Sequence, residues 1–236
     1  MRISAIITGG GTGKRFDDDL PKQFHTLPRR KVNEPVIIWT VRQFEQSTRI
    51  NDIVLSVPYE YVQQTKRLLR RFKIKKVHSV VPGGRTRRDS VRNALWSLSQ
   101  KPPDAVLIHD AVRPFVDDEL ITRVIERLER FTIVVPTIEP TDTIRRKGKR
   151  LALGRLEDRH SLLMIQTPQA FKWKVITQIL PKWNQNTTAT DDASIAIEHG
   201  FRVGYVDGSP YNFKITSKDD LTLARSFAAT LVRKKK

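Results

Sequence analysis

Residues 7–16 read ITGGGTGKRF: an apolar run, ISAIIT, opens into four glycines within five positions, with Lys14 and Arg15 behind them. Two templates nearly fit. A P-loop needs Gly, four residues, then Gly-Lys and a Ser or Thr. Counting back from Gly13 and Lys14 lands on Thr8, and Arg15 stands where the metal-binding hydroxyl belongs. The dinucleotide fingerprint G-x-G-x-x-G starts with Gly9 and Gly11 and fails at Lys14. What the templates share survives: a strand, glycines that let the backbone come close, outward amides and cations, which together suit a polyphosphate. An ordinary turn would account for the glycines alone, so the reading depends on what the rest of the chain brings to this loop.

Outward from the loop, strand-like runs alternate with helical patterns, which predicts an α/β fold with a mostly parallel twisted sheet flanked by helices. DIVLSV, KVHSVV, DAVLIHD, TIVVP, LLMIQTP, RVGYVDG and FKIT read as strands. EPVIIWTVRQFEQ, YEYVQQTKRLLRRF, RDSVRNALWSL, DDELITRVIERLER, KWKVITQIL, TDDASIAIEHG and SKDDLTLARSFAATLV read as helices. Pro35 suits a first helical turn, Thr190 a cap and Gly200 a stop, and Ser217 with Asp220 has the spacing of a capping box. The rhythm breaks at about 138–160, where TDTIRRKGKRLALGRLEDR carries Lys-Gly-Lys at its middle and reads as a projecting β-hairpin arm of the kind that grips a second subunit. One domain over residues 1–230, the arm included, and a basic tail at 231–236 is the economical division.

The chain has 236 residues and no cysteine, which removes disulfides and thiolate metal sites and fits a reducing compartment. There is no apolar run of membrane-spanning length and no signal-peptide pattern before RISAIIT, so the cytoplasm is expected. The net charge of +18 favours phosphorylated ligands, nucleic acid or an anionic surface. Its cations are scattered through RRK at 29–31, KRLLRRFKIKK at 66–76, RTRR at 85–88, RRKGKR at 145–150 and the terminal RKKK. A basic nucleic-acid-binding protein without enzymatic activity would account for this charge, but would leave the glycine loop, Asp110 and Lys214 without a purpose.

Ligands of open α/β sheets bind beyond the carboxyl ends of the strands. Those positions carry Lys14, Arg15 and Lys22, then PGGRTRRDSV, then HDAVRPF with Asp110 and Arg113, then QTPQAF with Thr167, TATDDAS with Thr190, and YNFKIT with Lys214. Asp110, at a strand tip, can hold Mg²⁺ or a ribose hydroxyl. His109, ending an apolar strand, reads as a packed histidine, and Asp191 and Asp192 as acids complementing a helix dipole. No Ser-His-Asp order or paired-histidine metal motif stands out.

Taken together, GGGTGKR with PKQF, GGRTRRDSV, HDAVRPF, DTI, QTPQAF, TDDAS and NFKIT stand in the order and spacing of the 2-C-methyl-D-erythritol 4-phosphate cytidylyltransferases, and the chain resembles that family from Ile3 to about Leu223. The resemblance implies a Rossmann-like nucleotidyltransferase fold, dimeric through the arm, that joins CTP to a sugar-alcohol phosphate with Mg²⁺ and without membrane or nucleic acid. It implies that Gly9, Gly10, Gly11, Thr12 and Gly13 cover the triphosphate, with Arg15, Lys22 and Lys214 catalytic. Gly83, Gly84 and Ser90 fall at the cytidine, and Asp110 near the ribose and metal. Ala111, Arg113, Thr167, Thr190 and Lys214 fall at the sugar phosphate, joined by Thr143 and Arg159 from a second copy. The chain departs from the family pattern at Gly9-Gly10, where paired alanines are commoner, and at Val112 in place of alanine. Both variants are similar to the sister ribitol 5-phosphate cytidylyltransferases. RTRRDSV and TDDAS are similar to the methylerythritol enzymes, which decides the expected acceptor.

Overall fold

The computed structural model describes residues 1–10, 16, 20–29, 32–182 and 191–234. In chain order the elements are β1 (Ile3–Thr8), β2 (Thr26–Arg29), β3 (Val32–Pro35), α1 (Val36–Gln46), β4 (Asp52–Val57), α2 (Val62–Arg71) and β5 (Val77–Pro82). Next come α3 (Arg87–Leu98), β6 (Ala105–Asp110), α4 (Asp118–Arg127), β7 (Ile133–Ile138), β8 (Arg145–Lys147) and β9 (Leu153–Leu156). The chain closes with β10 (Met164–Ile165), β11 (Gln169–Lys172), α5 (Trp173–Ile179), α6 (Asp192–Glu198), β12 (Gly204–Asp207) and α7 (Lys218–Lys234).

The main sheet runs β10-β7-β11-β6-β1-β4-β5, with β12 also paired to β7. β1 is parallel to β4 and β6, β4 to β5, and β12 to β7; among these strands β10 and β11 run the other way. The central strands are continuous apolar runs because helices cover both faces. Period-two alternation divides β1 between them. Ile3, Ala5 and Ile7 pack with α1, α2 and α4 through residues such as Ile38, Phe44, Leu69 and Ile121. Ile6 points the other way, into a cluster with Val91 and Leu95 of α3, Ile176 of α5 and Ile195 of α6. A third cluster seats α7 through Leu221, Ala224 and Ala228 against Leu27, Trp39, Phe115 and Ile215.

Several local expectations change. The stretch before α1 forms the hairpin β2–β3, and Pro35 stands at the N-cap of α1. QAFK, left out of the predicted strands, is β11, and the LLMIQTP strand shrinks to Met164–Ile165. FKIT is not a strand. Ile215 is fully buried in the α7 cluster and Phe213 packs against it, so the apolar alternation serves a packed loop and not a ladder. The cap of α6 is Asp191, whose side chain accepts from the Ser194 N–H at 3.0 Å, in place of Thr190, which lies outside the described residues. Gly200 does end α6, at φ +80°. The Ser217–Asp220 capping box is present, and α7 runs on to Lys234, into the stretch read as a tail.

Among the described residues β8 and β9 pair only with each other and form a hairpin apart from the main sheet. Its turn lies beyond Lys-Gly-Lys: Ala152 N–H donates to Lys149 O at 3.1 Å, with Arg150 and Leu151 both at positive φ. No helix among the described residues is long and apolar enough to cross a membrane.

Candidate active site

The chain winds from β1 through β4 to β5, then returns across the sheet to β6 on the other side of β1. The reversal opens a crevice beyond the carboxyl ends of β1 and β6, the usual ligand position in such sheets. A cavity of about 480 Å³ fills it, lined by Gly9, Gly10, Lys22, Gly84, Ser90 and Asp110, with Arg85, Arg87, Val112 and Lys214. A second, of about 320 Å³, is lined by Arg113, Thr167, Gln169 and Asp191 and shares Arg87, Asp110 and Lys214 with the first.

The walls are fixed by the chain. Gly9 N–H donates to Ser56 O at 2.7 Å, and the buried Gln23 side chain donates to Gly9 O at 2.6 Å, fixing the start of the glycine loop. Gly10 lies against the Gly83 loop so closely that an added Cβ would meet Ser90 Oγ at 2.6 Å. Ser90 Oγ donates to Thr86 O at 3.0 Å and accepts from Gly84 N–H at 3.1 Å. Thr86 and Asp89 form a capping box that starts α3 at the rim of the cleft, where its N-terminal amides favour anions.

Asp110 is the centre of the charge arrangement. Its Oδ1 accepts from Arg87 Nε at 3.2 Å, and its Oδ2 is 2.9 Å from Lys214 Nζ and 3.4 Å from Arg113 Nε. Burial works to raise its pKa, but Arg87, Lys214 and Arg113 outweigh it and hold the carboxyl well below the ordinary range. Arg87 also binds Asp192, which is buried at the start of α6. Burial pushes the Asp192 carboxyl above the ordinary range, against the pull of Arg87. Three cations thus converge on the Asp110 carboxylate where the two cavities meet, with Asp192 behind Arg87 and Asp191 on the wall of the smaller cavity.

His109, one residue earlier, has no exposed surface. Its Nε2 lies 3.0 Å from Arg113 O, an acceptor only, so Nε2 carries the proton. Nδ1 therefore accepts from Thr167 Oγ1 at 2.9 Å, and Thr167 Oγ1 accepts from Asp110 N–H at 3.3 Å. Burial lowers the His109 pKa to about 4, so at neutral pH it is an uncharged strut.

Ala111 is fully buried beside Gly9 and lines neither cavity. Thr143 and Arg159 are exposed and line neither cavity, with Arg159 Nη1 donating to Thr141 O at 2.7 Å. Gly11, Thr12, Gly13, Arg15 and Thr190 lie outside the described residues. Asp110 is the one carboxylate among the described residues lining the larger cavity. Both its oxygens already accept from cations, so the donor set fits a divalent ion carried in by a triphosphate and not one held by protein alone. Among the described residues no cluster of three metal-binding side chains occurs.

Residues 3–230 match the model of the 2-C-methyl-D-erythritol 4-phosphate cytidylyltransferase family. The chain belongs to that family. It is 34% identical over 228 residues to the 2-C-methyl-D-erythritol 4-phosphate cytidylyltransferase of Syntrophus aciditrophicus (strain SB), covering 96% of this chain and 95% of that one. The crystal structure of 4-diphosphocytidyl-2C-methyl-D-erythritol synthase from Anaerococcus prevotii DSM 20548 superposes with a TM-score of 0.82 at 25% identity, over 97% and 96% of the two chains. The 2-C-methyl-D-erythritol 4-phosphate cytidylyltransferase from Thermus thermophilus gives 0.76 at 27% identity, over 97% of this chain and 100% of that one.

Within this cytidylyltransferase fold, sequence reasoning passed over Arg87, Asp192 and Gln169. Asp192 was expected to serve the helix dipole; its burial and its contact with Arg87 give it a second task, holding a cation that faces Asp110. Gln169 donates to Asp191 and accepts from Ala193 N–H at 3.1 Å, fastening the start of α6 to the sheet. Arg87 was legible as one of the cations of RTRR, but no local pattern separates it from Arg85 or Arg88.

Proposed function

We propose that this chain joins CTP to 2-C-methyl-D-erythritol 4-phosphate, giving 4-diphosphocytidyl-2-C-methyl-D-erythritol, an isoprenoid precursor, and pyrophosphate. The observation that carries this reading is the pair of cavities meeting at Asp110, Arg87 and Lys214, in a chain that matches the family from end to end. We assign the larger cavity to CTP, with Gly9, Gly10, Gly11, Thr12 and Gly13 on the triphosphate and Gly83, Gly84 and Ser90 at the cytidine. The smaller is assigned to the sugar phosphate, with Arg113, Thr167, Thr190 and Lys214. Thr143 and Arg159 would reach it from a second copy gripped by the arm, in the cytoplasm.

The acceptor phosphate is already ionised at neutral pH, so its oxygen attacks the α-phosphorus of CTP without a general base. One P–O bond forms, the bond to the β-phosphate oxygen breaks in line, and pyrophosphate leaves with the electron pair. Catalysis is then positioning and charge neutralisation. Arg15, Lys22 and Lys214 are the groups we assign to the crowded negative charge. Mg²⁺ bound with the triphosphate would neutralise part of that charge, with Asp110 as its protein oxygen.

The deciding assay follows pyrophosphate release from CTP with methylerythritol phosphate and ribitol 5-phosphate in parallel tubes. Turnover with the first acceptor is expected. Turnover with ribitol 5-phosphate alone, which Gly9, Gly10 and Val112 would favour, moves the chain to the sister activity, and silence with both sinks the enzyme reading.

A further inference from the structure

The run KRLLRRFKIKK has no place in either cavity, and the stretch around it is strongly one-sided: no Asp or Glu occurs between Glu60 and Asp89. It folds into α2, the following turn and β5, at one end of the sheet. Among the described residues β5 is hydrogen-bonded to β4 alone, so its other side is an unpaired strand edge there. Lys66, Arg67, Arg70, Arg71, Lys73 and Lys75 are exposed, and among the described residues no side-chain carboxylate pairs with any of them. Glu45, a carboxylate that does reach this edge, is engaged by the backbone N–H groups of Lys75 and Lys76 at 2.9 and 2.8 Å. On the arm, by contrast, Glu157 answers Arg146 and Arg155.

Between α2 and β5 lies a groove of about 390 Å³, with Leu69, Ile74, Val77 and Val80 on its apolar side and Lys66, Arg70 and His78 among its polar lining. We infer that this groove docks an extended acidic segment of another protein, laid along β5 with its carboxylates toward α2 and its alternate apolar side chains on the groove floor. Cations beside a strand edge also discourage edge-to-edge pairing, but that task requires no apolar groove behind them. Apolar floor, unpaired edge and uncompensated cations side by side are what an alternating acidic and apolar strand needs. A single-stranded nucleic acid would need aromatic faces for its bases, and His78 is the one ring among the residues lining the groove.

The full-length protein can be titrated into a fluorescent synthetic peptide of alternating Glu and Val at low salt, with binding read by anisotropy. Saturable binding is expected, weakened about tenfold or more in the double variant Lys66→Glu/Arg70→Glu, since each factor of ten is only ~1.4 kcal/mol. Both positions are exposed, so pyrophosphate release and the circular dichroism spectrum should stay unchanged. No saturable binding, or equal binding by the variant, would overturn the inference. So would a single-stranded RNA of equal charge that displaces the peptide better than unlabelled peptide does, because the surface would then belong to nucleic acid.

Discussion

His109 carries a pH dependence that its burial dictates. Its pKa is lowered to about 4 in the folded chain by burial, against about 6.5 when unfolded. The unfolded state therefore binds the extra proton between these values, and stability falls as pH drops through that window. From pH 7.5 to pH 5 the loss from this residue is about 2 kcal/mol. We expect His109→Gln, which keeps a donor for Arg113 O, to lose less stability than wild type over this interval in urea titrations. Equal losses would show that other groups carry the effect. Residues at this scale were unevenly legible. Asp110 and Arg113 stand out because they sit at and just beyond the end of an apolar run, where the fold class alone places a site, whereas Lys214 lies in FKIT, which reads as a strand and is a packed loop. The Arg87–Asp192 contact joins positions 105 apart in sequence, and each residue has a sufficient local explanation, so nothing in the chain announces that they meet.

At the level of elements, the arm combines two features that work against an isolated chain. Leu151 is fully exposed, Leu153 and Leu156 are largely so, and Leu151 sits at φ +61°. A left-handed residue other than Gly, Asn or Asp costs about 1–2 kcal/mol, and an apolar side chain there gains nothing from water. The arrangement makes sense if the tip packs on a second copy. Leu151→Gly should then relax the turn yet raise the dimer dissociation constant about tenfold or more in sedimentation equilibrium. A variant that dimerises as tightly as wild type would remove the tip from the interface. Elements buried on both faces, such as β1, β4 and β6, could be read directly from their apolar runs. β2 and β3 could not, because TLPR and VNEP carry no alternation. β11 is only four residues long and is defined by its neighbours β6 and β7 and not by its own pattern.

For the whole molecule, the +18 charge acts over longer distances than any single contact. A polyanionic substrate should be drawn to the cleft faster at low ionic strength, because the Debye length shrinks from roughly 30 Å at 0.01 M to about 8 Å at 0.15 M salt. We expect kcat/KM for CTP to fall several-fold over that range while kcat changes less, since the Asp110 carboxylate on which the cations converge is buried. A flat kcat/KM profile would mean that the surplus charge does not steer the nucleotide. In the wall of the cleft it leads to, Gly10 meets Gly83 so closely that a Cβ added to Gly83 would sit 3.0 Å from Gly10 Cα. The Ser90 hydroxyl fills the same seam, 2.6 Å from where a Gly10 Cβ would stand, and is held there by its hydrogen bonds to Thr86 O and Gly84 N–H. A methyl group at either glycine would therefore act as a wedge, forcing apart two loops that meet only because neither residue carries a side chain.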